Sequence, residues 1–257
     1  MDAATTPETI RYYRWLPYWA VLQTDLRQTT ANWVWRVWVF ASIMAATLYL
    51  THRFAVYREA RFVQTVDKVV ANLLHWTALG TVTLVVAFCS GAIATERGTL
   101  ADSILCRGIS RYQYFLAKLH SRLISVLGTY FVLTALVVGV ASFAFPGLLT
   151  PTGCVAALAG LGAFLAAVVC FGVATSALCG STVLSVSLLW IGLYTLGFAL
   201  TFLPDGYLTP DRMIDTLPKI LQGLFIRDEL YRSIGYSLLS GTVAAGVGLV
   251  GFARSDV

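Results

Sequence analysis

Six apolar runs, each long enough to cross a bilayer, constrain this chain more than any other feature. They cover about Asn32–Thr51, Leu74–Thr95, Leu119–Phe145, Thr152–Leu178, Val183–Leu203 and Ile234–Phe252. About 20 apolar residues in helical conformation span a hydrocarbon core of about 30 Å. Hydrocarbon offers backbone groups no partner, so such runs must form helices that satisfy their own N–H and C=O groups. With 58% hydrophobic and 12% charged residues, the chain stands far from a soluble domain, in which about a quarter of residues are charged. The expected fold is an all-α polytopic membrane protein, a single transmembrane domain over residues 1–257.

The polar segments carry what the runs exclude. Residues 10–31 alternate aromatics with Arg14, Asp25 and Arg27, and Pro17 suits a first helical turn. This predicts an amphipathic helix in the membrane interface, or else the fraying start of the first span. Trp33, Trp35 and Trp38 form an expected aromatic belt. The segment 52–72 is amphipathic and can extend the first span. In 204–233, Pro204, Pro210 and Pro218 divide apolar stretches too polar to span. One or two short helices on the opposite face of the membrane from the 96–118 loop are expected there, with a start at Thr209–Pro210. Small residues form a ridge at Ala156, Gly160, Ala163 and Ala167, and a shorter one at Gly241, Ala245 and Gly248. Both predict close helix packing within the subunit.

The longest polar segment between spans is Glu96–Arg122, ERGTLADSILCRGISRYQYFLAKLHSR. Thr99 can cap a short helix, with Asp102 three residues on. That helix ends near Cys106–Arg107, because Gly108 suits the position past a C-terminus. Ser110 then opens a second helix, with Gln113 at the capping-box position and Ile109 placed to staple against Tyr114. A capped helix held between two spans is a handle that a soluble partner could grip.

In order, this segment has Glu96-Arg97, then Gly98-Thr99-Leu100, a short helix over Ala101 to Cys106, a turn at Gly108, Ser110-Arg111 and Lys118. The series resembles the cytoplasmic loop between the second and third spans of ABC-2 type permeases. It departs from many members in having no extra residues before Gly98-Thr99-Leu100, and Gly108 where proline is frequent. The resemblance implies that residues 96–118 hold a coupling helix that docks on a separate ATPase subunit. The residues it assigns to that coupling are Glu96, Arg97, Thr99, Leu100, Asp102, Ser103, Arg107, Ser110 and Arg111. It further implies a homodimer or heterodimer of permease subunits in the plasma (inner) membrane, with ATP and Mg on the partner ATPase. The residues alone leave alternatives open. Glu96 could simply mark a membrane boundary, Ser110 could be only a cap, and Arg111 could face lipid phosphate.

Other chemistry is excluded or disfavoured by what the chain lacks. There is no G-x-x-x-x-G-K-[ST] phosphate loop, and none of Lys68, Lys118 and Lys219 follows a glycine. The expectation is therefore no enzyme and no cofactor in this chain. The spans lack mid-membrane acids or histidines, which argues against ion-coupled carriers. His52, His75 and His120 are scattered. Ser176, Ser181, Ser185 and Ser187 are expected to bond back to helix carbonyls. Cys89, Cys106, Cys154, Cys170 and Cys179 show no pairing or metal spacing. The net charge of +5 is spread over every polar segment, which suits anionic lipid and not nucleic acid. An amphipathic or lipid-like substrate, or force passed to a partner, both fit uncharged spans. The alternative from another class is a non-transporting scaffold or assembly factor that binds a cytoplasmic partner through the same loop.

An even number of spans puts both termini on one side. With the Glu96–Arg122 segment inside, ten Lys and Arg residues lie inside and eight outside. Five basic residues against two acidic ones in that loop lie next to two span ends, where the positive-inside rule acts. Both termini are thus expected in the cytoplasm. In a cysteine-free background, Asp215→Cys should react with an impermeant maleimide added outside, and Asp102→Cys should be protected. The reverse pattern inverts the topology.

Overall fold

The computed structural model describes residues 15–60, 65–96, 109–145, 147–202 and 209–254. Among these residues there are eight helices and no strand: α1 Leu16–Ala31, α2 Trp33–Ala60, α3 Val66–Cys89, α4 Arg111–Ala144, α5 Pro151–Leu178, α6 Thr182–Thr201, α7 Pro210–Leu221 and α8 Arg227–Arg254. Six of them, α2 to α6 and α8, are long and apolar enough to cross a membrane. The chain is a multi-pass membrane protein. The predicted helix over 99–107 lies outside the described residues, as do residues 10–14 of the first polar segment.

Several helices run past the apolar runs that announce them. α2 continues through the amphipathic stretch after Thr51, as expected. α3 starts at Val66, eight residues before the apolar run, and ends at Cys89, where turns carry the chain on to Glu96. α4 begins at Arg111, so the last eight residues of the 96–118 segment are helix and not loop. Its 34 residues make a rod about 51 Å long, well beyond a hydrocarbon core of about 30 Å. α8 likewise begins seven residues before its apolar run.

α5 is the helix around which the others gather, and its small residues explain why. Gly241 and Gly248 of α8 sit directly against it: a Cβ at Gly241 would stand 3.0 Å from Ala167 Cα, and one at Gly248 2.7 Å from Ala174 Cα. These approaches leave no room for a side chain. The two predicted ridges thus meet each other inside the subunit, with Ala167 and the two glycines at the contact. On α2, Trp33 is exposed but Trp35 is buried, edge-on to Phe88 of α3 at 6.1 Å between ring centroids. The expected belt is therefore divided, one tryptophan outward and one locking α2 to α3.

At the end of the bundle away from Glu96, α7 begins at Thr209–Pro210 as its sequence predicts, and it buries Met213, Leu217, Ile220 and Leu221 among side chains of α3, α4 and α5. Its end is a Schellman motif. Gly223 N–H donates to Ile220 O at 2.8 Å, Leu224 N–H donates to Lys219 O at 2.9 Å, and Gly223 has φ +82°. Thr150 ties this end to α5. Its N–H and hydroxyl both donate to Leu221 O, at 3.0 and 3.1 Å, while its Oγ1 accepts from Gly153 N–H as the α5 cap.

The α5–α8 contact yields a direct test. Gly248→Val should force the backbones apart and cost roughly 1–3 kcal/mol, as overpacking does. Gly246, whose Cβ would meet nothing within 4 Å, should tolerate alanine with no loss. Thermal unfolding of the two purified variants, followed by size-exclusion chromatography after heating, reads the difference.

Candidate functional site

One face of α1, the turn after α3 and the first turns of α4 converge on a largely buried charge cluster. α1 presents Leu22, Asp25 and Thr29, its three buried residues, one turn apart on one face. α4 presents Tyr114, Lys118 and Arg122, again one turn apart. The turns over residues 90–96 bring Glu96 between them.

Lys118 is the hub. Its Nζ donates to Asp25 Oδ1 at 2.7 Å and to Glu96 Oε1 at 2.6 Å. The Lys118 and Asp25 side chains are only 4% and 3% exposed. Arg122 donates from one terminal nitrogen to Thr29 Oγ1 at 2.8 Å and from the other to Asp25 Oδ1 at 3.4 Å. The Tyr114 hydroxyl donates to Glu96 Oε2. Two cations face two carboxylates, so the cluster is neutral, the condition under which buried charge is tolerable. On the exposed side of the same helix pair, Tyr18 Oη and His120 Nδ1 share a hydrogen bond of 2.9 Å. Partial burial holds the Tyr18 phenol above its ordinary pKa, so it stays protonated at neutral pH.

The turn carrying Glu96 is itself held from below. Ser176 Oγ on α5 accepts the backbone N–H groups of Ile93 and Ala94 at 2.9 and 3.0 Å. Back-bonding to the helix, expected from sequence, is not how this hydroxyl is used. Two amides in the turns beyond the end of α3 recruit it instead. Ser181 and Ser185 differ similarly: Ser181 caps α6 through Leu184 N–H, and Ser185 donates to Thr175 Oγ1 at 3.2 Å.

Downstream, Ser110 caps α4 in a reciprocal capping box with Gln113, as predicted. Arg111 does not stand out toward lipid alone: one terminal nitrogen donates to Ala253 O at 3.2 Å, at the C-terminal end of α8, where a cation is favoured. Tyr114 stacks on Phe252 of the same helix at 6.1 Å, and Ile109 packs in the same apolar cluster.

Of the sequence-assigned coupling residues, the structure brings together Glu96, Ser110 and Arg111 around the base of one segment. Arg97, Thr99, Leu100, Asp102, Ser103 and Arg107 lie outside the described residues. Sequence reasoning did not single out Asp25, Thr29, Tyr114 or Arg122 as partners. A usable signal was there: polar residues at i and i+4 on both α1 and α4, each on a face otherwise apolar. Among the described residues, no group of three or more His, Cys, Asp or Glu is arranged to hold a metal. Both carboxylates are engaged by cations, so the arrangement suits mechanical connection better than proton transfer. No family model matches the sequence, and no curated protein does.

Removing Lys118 alone leaves an excess buried negative charge. Lys118→Met should cost about 3–5 kcal/mol, as breaking a buried pair does. Lys118→Met with Glu96→Gln restores neutrality and should recover a large part of that loss. A double-mutant cycle on thermal stability measures the coupling; purely additive effects would show that the two side chains do not act together.

Proposed function

We propose that this chain is the membrane-spanning permease subunit of an ABC-2 type transporter, coupling ATP hydrolysis by a separate ATPase to export of a substrate or to force across the membrane. The observation that supports this reading is that the described residues on either side of the Thr99–Arg107 stretch, which resembles the family's coupling helix, are held by the bundle. Upstream, Glu96 is bound by Lys118 and Tyr114. Downstream, Ser110 and Arg111 are held by the α4 cap and the end of α8. A push on that segment reaches α3, α4, α8 and, through Asp25, α1. Coupling of this kind needs a continuous set of contacts with little slack.

In this reading the Thr99–Arg107 helix docks on the ATPase. The charge cluster, the 96–118 segment and both termini lie in the cytoplasm. α1 lies in the inner interface, and α7 closes the outer end of the bundle. Two such permease subunits, alike or different, work with two ATPase subunits that bind ATP and Mg. The membrane is the plasma (inner) membrane.

Ser103→Pro tests this assignment. Proline inside the short helix costs about 3 kcal/mol locally, whereas the spans should survive. The expected result is normal membrane level with loss of ATPase copurification and of transport. Thr99→Ala should be milder, losing one cap of about 1 kcal/mol. The purified chain alone should hydrolyse no ATP. Retained association and transport in Ser103→Pro would remove the coupling role. Partner binding through the loop with no transport by any reconstituted complex would favour the scaffold reading.

A further inference from the structure

A second site lies toward the end of the bundle opposite the charge cluster. Helices α3, α5, α6, α7 and α8 line a half-open cavity of about 440 Å³, within the 300–1,000 Å³ range typical of small-molecule sites. Ala78, Val82, Leu161, Phe164, Leu193 and Leu196 supply apolar walls. At about 30 Å³ for each water-sized group, the space takes on the order of fifteen non-hydrogen atoms.

One wall is different. Glu229, Arg232, Ser233, Tyr236, Ser237 and Ser240 of α8 all line the cavity, and their spacing of three and four residues puts them on a single helix face. Glu229 and Arg232 lie in the turns that precede the apolar run at Ile234, whereas Ser237 and Ser240 lie within it, so this face carries charge at the mouth of the cavity and hydroxyls deeper, where polar groups normally face a cavity and not acyl chains. Among the described residues, neither Glu229 nor Arg232 makes an ion pair, although they sit one turn apart. An apolar chamber beside an unpaired anion and an unpaired cation is complementary to a molecule with one tail and a head bearing both charges.

We propose that this cavity binds the acyl chain of a zwitterionic amphiphile, a phosphoethanolamine-type lipid, with its phosphate on Arg232 and its ammonium on Glu229. Arginine recognises phosphate oxygens with paired N–H donors, and Tyr236 stands one turn further along the same face. The tail fills the chamber between α3, α5 and α6. This site is independent of the coupling role above, because its occupancy needs no ATPase.

The test uses the purified full chain in phosphatidylglycerol nanodiscs, titrated with radiolabelled lysophosphatidylethanolamine. Saturable binding of one molecule per chain is expected, tighter than for lysophosphatidylglycerol. Arg232→Gln, at an exposed position that should not disturb folding, should weaken binding about tenfold, the scale of one lost charge-assisted hydrogen bond. Glu229→Gln should remove the preference for the amine-bearing head. Leu193→Trp fills the chamber and should abolish binding of both lipids. Adding diacyl phosphatidylethanolamine to the disc distinguishes sources: competition makes a bilayer lipid the occupant, and no competition makes it a free single-chain lipid. Non-saturable binding, equal affinity for the two heads, or binding unchanged in Arg232→Gln and Leu193→Trp would overturn the proposal.

Discussion

One ammonium group, that of Lys118, holds two carboxylates from distant parts of the chain. Asp25, which is buried, comes from α1, and Glu96, which is partly exposed, comes from the turn after α3. Burying such charges is expensive, so the geometry has to be close; Asp25 meets this through Oδ1, which both cations share, while its Oδ2 has no hydrogen-bond partner among the described residues. The rest of this end of the protein follows from that demand. Arg122 supplies the second positive charge and draws in Thr29, while Tyr114 satisfies the far oxygen of Glu96. Ser176 stiffens the turn on which Glu96 stands. The short helix α1 is thereby tied to the long helix α4.

The opposite demand governs the middle of the bundle. There the chain has almost no polar groups to pair, and proximity itself must supply the attraction. Small residues let α5 and α8 approach until backbone meets backbone at Gly241 and Gly248, which gains dispersion contacts that bulky side chains would forfeit. The two ends of α8 are then specialised. Near its C-terminus Phe252 and the Ala253 carbonyl join the charged end of the bundle. Near its N-terminus a polar face looks into an apolar chamber.

Much of this was legible in the residues. Six spans followed from apolar length, and the cap at Ser110 and the helix start at Thr209–Pro210 followed from local chemistry that needs no tertiary context. Helix ends were less visible, because hydropathy marks where a helix meets hydrocarbon and not where its hydrogen bonding stops. α3 and α4 therefore overrun their apolar runs. Partnership across the sequence was least visible. Asp25 and Lys118 are 93 residues apart, and only the fold shows that their faces meet. Ser176 shows the same limit: a serine in an apolar helix bonds to its own backbone unless something nearby needs an acceptor more, and here two amides do.

The length of α4 has a mechanical consequence. A rod of 34 residues, with hydrogen bonds along its whole axis, does not bend easily without proline or a bulge, and this one contains no proline. Its buried residues run from Tyr114 to Ala141, so its packing extends over nearly the whole rod and not over one end. Whatever displaces it near Lys118 therefore meets one stiff body, and the far end can answer only by moving with it. Stiffness of this kind carries a displacement along the axis with no need for the intervening side chains to repack one after another.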